Sequence, residues 1–255
     1  MKIATWNVNS IRTRLSHVES WLDLHTPDVL AIQETKVVDD DFPIAPFSEL
    51  GYSAFISGQK SYNGVAVLTK LGAEDISTSY SGYDQNQKRY IALTINGTRI
   101  INVYVPNGSE IGSDKYEYKL NWLCNFSQYL VSELNSHQNL VVMGDFNIAP
   151  ENLDVFDPEF CSGQILCSEA ERFALKEVMG SDLVDIFRYI NPESNTFSWW
   201  DYRRGAFRRN QGMRIDHILA TKELADSCKY CTIDREPRML EKPSDHAPVI
   251  AHFGD

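Results

Sequence analysis

The sequence contains no run of apolar residues approaching the roughly 18 that a membrane-spanning helix needs. Its first residues, Met1 and Lys2, lead into a polar-interrupted strand pattern rather than a secretory leader. An intracellular, cytoplasmic protein with no membrane partner is therefore expected. Cysteine is scarce and odd in number, five in 255 residues, which suits a reducing compartment and not a disulfide framework. Cys228 and Cys231 form a C-x-x-C without a second pair at metal-ligand spacing, so they read as strand residues rather than a zinc site. Low-complexity linkers, charge blocks and solenoid-period repeats are also missing. With no boundary at which to divide the chain, residues 1–255 are expected to form one domain, and a monomer is the default.

What is present is an ordinary packing composition, 43% hydrophobic, with a formal net charge of −11. An acidic surface repels a phosphate backbone, which argues against a nucleic-acid ligand until the distribution is examined. Arg203, Arg204, Arg208, Arg209 and Arg214 fall in a stretch free of Asp and Glu, so a basic surface can exist on an acidic protein. Carboxylates grouped around a bound cation would have their charge offset locally.

Alternation predicts strands over 2–8, 28–34, 53–57, 64–69, 90–95, 99–105, 139–147, 196–202, 214–221, 230–233 and 249–253. Helical spacing of Ile11, Leu15, Val18 and Leu22 predicts a first helix capped by Ser10 and closed before Pro27. Uninterrupted amphipathic patterns predict helices over 115–136 and 168–179, the second with acidic residues at its start, where they complement the helix dipole. So many strands with so few helices between them do not make a singly alternating β-α-β-α fold. They call for an α/β architecture in which two packed sheets are flanked by helices.

Four strand-like runs end in groups that favour cations or phosphates: Asn7 and Asn9, Glu34, Asp145 and Asn147, and Asp245-His246. One such carboxylate is usually a solvated loop residue; the joint occurrence is the signal. Hard divalent cations such as magnesium prefer oxygen ligands and often bind through one or two carboxylates plus substrate phosphate. Glu34 and Asp245 suit that role, and a two-residue period would put Asp145 and Asn147 on one face. Asp216 lies within a strand pattern, where a buried carboxylate needs a partner, and His246 is an economical one. Phosphodiester hydrolysis requires an activated water, neutralised non-bridging oxygens and help for the leaving alkoxide. Tyr104, just before the Pro106-Asn107-Gly108 turn, could reach a phosphate, or could simply be a core aromatic.

Six ordered segments carry a resemblance: Trp6-Asn7-Val8-Asn9, Ile32-Gln33-Glu34-Thr35-Lys36, Tyr104-Val105-Pro106-Asn107-Gly108, Gly144-Asp145-Phe146-Asn147, Arg214-Ile215-Asp216 and Lys242-Pro243-Ser244-Asp245-His246-Ala247-Pro248. Together they resemble the exonuclease III and abasic-site endonuclease branch of the endonuclease, exonuclease and phosphatase superfamily, along essentially the whole chain. The resemblance implies a four-layer α/β sandwich of mixed, mainly antiparallel sheets. It also implies a magnesium-dependent hydrolase, with manganese as a substitute, that cuts double-stranded DNA 5′ to abasic sites or acts on damaged 3′ ends.

By motif position the resemblance places Asn7, Glu34, Asp145, Asn147, Asp245 and His246 around the metal. Asp145 would orient or deprotonate water, Asn147 would help place it, His246 oriented by Asp216 would contact the scissile phosphate, and Tyr104 would stabilise the leaving group. Asn107 would touch phosphate. Trp199, Met213 and Ile215 would accept a flipped baseless sugar, and Arg203, Arg204, Arg208 and Arg209 would hold flanking phosphates. Residues 156–168 match no motif of the family, so the presence of 3′-end activity is not assigned from sequence. Competing readings are another phosphodiesterase of the superfamily, which would share Glu34, Asp145 and Asp245-His246, and a DNA-binding relic that has lost its chemistry.

Overall fold

The structure is a computed structural model and describes residues 1–254. Among these, twelve strands form two six-stranded sheets. The first contains β1 (Lys2–Asn7), β2 (Val29–Gln33), β3 (Ser53–Ser57), β4 (Val65–Thr69), β11 (Cys228–Ile233) and β12 (Val249–Phe253), in the order β11-β12-β1-β2-β4-β3. The second contains β5 (Glu74–Ser77), β6 (Tyr90–Ile95), β7 (Thr98–Tyr104), β8 (Asn139–Asp145), β9 (Leu183–Asp185) and β10 (Asp216–Thr221), in the order β5-β6-β7-β8-β10-β9. Each sheet has one parallel pair at its centre, β1 with β2 and β7 with β8, and antiparallel pairing elsewhere.

Strand alternation sorts residues into layers. Ile3, Val29, Ala31, Val65 and Val67 face Ile91, Leu93, Ile100, Val141, Met143, Ile218 and Ala220 between the sheets. On the outer face of the first sheet, Ala4, Trp6, Leu30 and Ile32 pack against Val18, Trp21 and Leu22 of helix α1 (Ile11–His25). The outer face of the second sheet, with Ile101, Val103, Leu140 and Val142, receives Trp122, Leu123, Phe126 and Leu130 of α3 (Asp114–Ser136), and Leu175 and Val178 of α5 (Glu169–Met179). The result is helix, sheet, sheet, helix: the four-layer arrangement. Each fully buried aliphatic or aromatic side chain contributes about 1.5–3 kcal/mol. The short helices α2 (Ile44–Glu49), α4 (Pro158–Cys161), α6 (Ile186–Ile190) and α7 (Lys222–Asp226) complete the described elements. No described helix is long and apolar enough to cross a membrane.

Ser113 caps α3 by accepting from Tyr116 N, and Ser168 and Glu171 cap α5 reciprocally. Three expectations fail. Ser10 precedes α1 but makes no side-chain cap; its φ is positive, and its N–H donates to Glu34 O at 2.7 Å, tying the segment after β1 to the segment after β2. Residues 196–202 are not a strand: Ser198 and Trp199 N–H both donate to Met213 O, leaving isolated bridges of Trp199 to Met213 and His246. Arg214 does not belong to a basic surface; it is fully buried between Asp154 and Asp185. Cys228 and Cys231 lie in β11.

Candidate active site

The inner face of each sheet is apolar at one end and turns polar toward the other, through Thr5, Gln33 and Asn102, before the strands end. There, the same parity delivers Asn7 from β1, Tyr104 from β7, Asp145 from β8 and Asp216 from β10 into the gap between the sheets. The register makes this exact to the residue: Tyr104 pairs with Asp145, Asp145 with Asp216, and Asn7 with Gln33, one before Glu34. Gly144 is required beneath them, because a Cβ there would lie 1.9 Å from Val103 O.

Asn7 joins the two sheets. Its Nδ2 donates to Glu34 Oε1 and to Asp145 Oδ2, both at 2.9 Å, while its Oδ1 accepts from Asn9 N. Glu34 also meets Lys36 Nζ at 2.8 Å, and that ammonium reaches Asn9 Oδ1. Burial raises the Glu34 carboxyl, but Lys36 and the Asn7 amide override it and hold the group below its ordinary value. Asp145, 1% exposed, accepts from Asn147 N at 2.8 Å through Oδ1. Its carboxyl is pushed up to about 7, chiefly by burial and further by Asp216 and Glu34, against the opposing pull of His246 and the Asn7 amide. Asn147 reaches this side by a left-handed turn, φ 51°, rather than by extended alternation. Its Oδ1 accepts from Asn107 Nδ2 at 2.9 Å.

His246 Nδ1 lies 2.9 Å from Asp216 Oδ2, which also accepts from Ser198 Oγ at 2.6 Å. Its Nε2 stands 3.7 Å from Asp145 Oδ2. Burial alone would lower the imidazole; Asp216 and Asp145 reverse this and raise it to about 10, so His246 is an imidazolium at neutral pH. Tyr104 packs under Arg89, 4.6 Å from ring centroid to guanidinium carbon. Burial, then the negative charges of Glu34 and Asp145, hold its phenol protonated well above the ordinary range. Asp245 stands aside from this cluster, bound by Asn9 Nδ2 at 2.9 Å and Trp199 Nε1 at 3.0 Å. Burial is overridden there by His246 and those two donors, and the carboxyl stays below its ordinary value.

Asp145, Asp216 and His246 offer ligand atoms all within 4.8 Å of one another, a set able to coordinate a divalent metal when the imidazole is neutral. With Glu34 this makes three carboxylates around one buried gap, and Asp216 and Glu34 add to the burial that raises Asp145. The donors are predominantly oxygen, the chemistry of a hard cation. Beside the cluster opens a cavity of about 520 Å³ whose lining includes Phe156, Phe160, Trp199 and Met213, the cations Arg203, Arg204 and Arg209, and the carboxylates Asp157 and Asp201. Ile215 is buried in the apolar cluster that contains Trp199 and Met213 and does not line the cavity, while Arg208 is exposed outside it. Phe197 and Trp200 serve the core. Sequence reasoning missed Lys36, Ser198, Phe156 and Phe160. The Lys36 spacing from Glu34 was a usable signal; the two phenylalanines sit in the segment that matched no motif.

An imidazolium locked by one carboxylate, a second carboxylate accepting N–H bonds, and oxygen donors for a cation define a metal-dependent phosphoester hydrolase. Comparison with known proteins specifies the family. Residues 4–246 match the endonuclease/exonuclease/phosphatase family. Exodeoxyribonuclease III of Haemophilus influenzae is 35% identical over 266 residues, covering 99% of this chain and 100% of that protein. A solved 3′ phosphatase from Neisseria, bound to product DNA hairpin, matches with TM-score 0.98 and 41% identity over 100% of both chains. An AP endonuclease from Archaeoglobus fulgidus matches with TM-score 0.95 and 42% identity over 99% of each. The chain belongs to the endonuclease/exonuclease/phosphatase family, in its exonuclease III and AP endonuclease branch.

Proposed function

We propose that this chain hydrolyses DNA phosphoesters at the bond between phosphorus and the 3′ oxygen, in double-stranded DNA, with magnesium as its cation and manganese as a substitute. Cutting 5′ to an abasic site, releasing nucleotides from a 3′ end and removing a 3′ phosphate all break that same bond and leave a 3′ hydroxyl. One site can therefore serve all three. The observation that carries the reading is the juxtaposition of Tyr104, Asp145 and Asp216 as register neighbours, facing Asn7 and Glu34 across the gap.

Glu34 and Asp145 would hold the cation, with Asn7 fixing the distance between the two carboxylates. When bound, the cation neutralises phosphate charge and acidifies a coordinated water. Asp145, whose Oδ1 accepts from Asn147 N, orients and deprotonates the attacking water. His246, held by Asp216, presents a positive Nε2–H to the non-bridging oxygens. Tyr104 donates from a phenol that remains protonated and follows the negative charge that develops on the leaving side. Asn147 and Asn107 supply amide donors to water and phosphate, and Asp245 orients Trp199 and Asn9 at the edge of the site.

The cavity beside Trp199 and Met213 suits a sugar without its base, since little unstacking opposes its extrusion. Arg203, Arg204 and Arg209 contribute phosphate contacts. The test is cleavage of end-labelled duplexes carrying a stable abasic analogue, a 3′ phosphate, or no lesion, in magnesium and in chelator. Magnesium-dependent incision at the analogue, with a 3′ hydroxyl on the product, is expected. No cutting of any DNA would refute the reading, and loss of the 3′ phosphate alone would restrict it to chain ends.

A further inference from the structure

Lys119 projects from α3 beneath the site and is fully buried. An ammonium has three hydrogens to place, and all three are spoken for: Asn147 O at 2.7 Å, Asn107 O at 3.1 Å, and Glu171 Oε1. Glu171 in turn accepts from Leu166 N and Ser168 N, both at 3.1 Å, and from Ser168 Oγ. An ion pair that only joined α3 to α5 would need one of those ammonium hydrogens. The other two go to the carbonyls of the two residues whose side chains meet beside Asp145.

The backbone at this point turns sharply. Asn147 is left-handed at φ 51° and Gly108 at φ 91°, with Lys119 Cδ only 3.1 Å from where a Gly108 Cβ would be. Asparagine and glycine adopt such turns without much strain, so the contacts around them decide which way the side chains and carbonyls face. Asn147 is fixed at its amide by Asp145, at its side chain by Asn107 and Val105 O, and at its carbonyl by Lys119.

We propose that Lys119 is a positioning residue for the reaction: its ammonium sets the turns after β7 and β8 so that Asn147 and Asn107 stand correctly against Asp145. The inference rests on the role given to Asn147 above. Lys119→Met alone leaves Glu171 buried without its cation and tests folding more than catalysis. The informative variant is the neutral pair Lys119→Met with Glu171→Gln, compared with Glu171→Gln, Asn147→Ala and the triple combination. Each is read as kcat and KM on the abasic-analogue duplex at saturating magnesium, below its own melting temperature.

The neutral pair is expected to lose about 10- to 100-fold in kcat, the scale of a small misplacement at a reacting centre, with KM nearly unchanged. Glu171→Gln alone keeps kcat within a few-fold. Adding Asn147→Ala to the pair costs no more than Asn147→Ala by itself, because both act through one group. Lys119→Gln with Glu171→Gln, which retains a donor at position 119 and is also neutral, is read the same way and serves if the Met pair does not fold. Additive losses, a full kcat in the neutral pair, or equal damage from Glu171→Gln alone would each overturn the proposal. A normal kcat in Asn147→Ala would overturn the catalytic reading beneath it, and this inference with it.

Discussion

Replacing Arg214 with methionine is expected to destabilise the fold far more than its volume change suggests. The guanidinium is fully buried, with Nε 2.7 Å from Asp154 Oδ1 and Nη2 2.7 Å from Asp185 Oδ2. Asp154 keeps a second cation, Arg188 at 2.6 Å, so the charge left uncompensated is mainly that of Asp185. Removing one partner of a buried pair costs about 3–5 kcal/mol. At about 2–4 °C per kcal/mol for a chain of this size, the melting temperature falls by roughly 6–20 °C.

The pH dependence supplies a signature. In the native protein burial raises the Asp185 carboxyl, and Arg214 overrides it and holds the group below its ordinary value. That stabilisation is present above the unfolded pKa near 4 and is lost as pH falls through the lower folded value. Without Arg214 burial is opposed only by His217 and the Arg188 N–H, the folded pKa rises, and a penalty appears as pH rises through it. The gap between native and variant should therefore be small in acid and widen toward neutrality. Thermal unfolding followed by circular dichroism across pH 3–8 measures it, and Asp185→Asn in the Arg214→Met background should recover most of the loss. A variant within about 1 kcal/mol of the native protein at neutral pH, or a gap that does not change with pH, would refute the reasoning.

Glu34→Ala and Asp145→Asn are each expected to lower turnover on the abasic-analogue duplex by at least about a hundredfold with folding intact; near-normal cleavage in either would count against the assignment of the rim. Tyr104→Phe removes a single donor and should cost about a hundredfold in single-turnover rate, while thermal unfolding changes little. Arg204→Ala with Arg209→Ala should weaken DNA binding and shallow the slope of log affinity against log salt by about one to two units, which filter binding or anisotropy over a salt series would detect. Chelation should abolish cleavage while circular dichroism stays unchanged, and added magnesium should restore it.

Much of the architecture was legible because alternation and burial are local properties. The strands from β1 to β4 and from β6 to β8 run close to their expected limits, and the inward parity that marks Asp145 marks Asp216 as well. The strands that escaped notice are those with little to alternate: β5, Glu-Asp-Ile-Ser and largely exposed, and β9, three residues long. Residues 196–202 deceived because aromatic types were abundant, yet their side chains divide between the core and the cavity without a period of two. Arg214 deceived for a different reason. Its partners lie 29 and 60 residues away, and nothing beside it distinguishes a buried ion network from a solvated basic loop. The candidate site was legible as a set of strand ends, but the link across the sheets was not, since Asn7 meets Asp145 over 138 residues of sequence.

The division of labour at the rim follows from how each strand ends. Asp145 and Asp216 are still within paired strands, and beneath them Gln33 Nε2 bonds Asn102 Oδ1 at 2.7 Å while Asn102 Nδ2 reaches Ile32 O and Ala66 O, stitching the sheets together. The groups proposed to act on water and to orient the imidazole are thus carried by hydrogen-bonded strands rather than by loops. Asn9, Glu34, Lys36 and Asn147 instead sit in left-handed turns just past the strands. Such backbone costs of order 1 kcal/mol or more for residues other than glycine or asparagine, and it gives the chain a sharp exit that frees these side chains to face the gap. A site built this way gains precision where bonds are made and broken, and it confines strain to the turns that must meet cation and phosphate. Stabilising those turns by glycine at Glu34 or Lys36 would relieve the backbone and remove the chemistry together, which is the physical reason charged residues occupy positions that glycine would fit better.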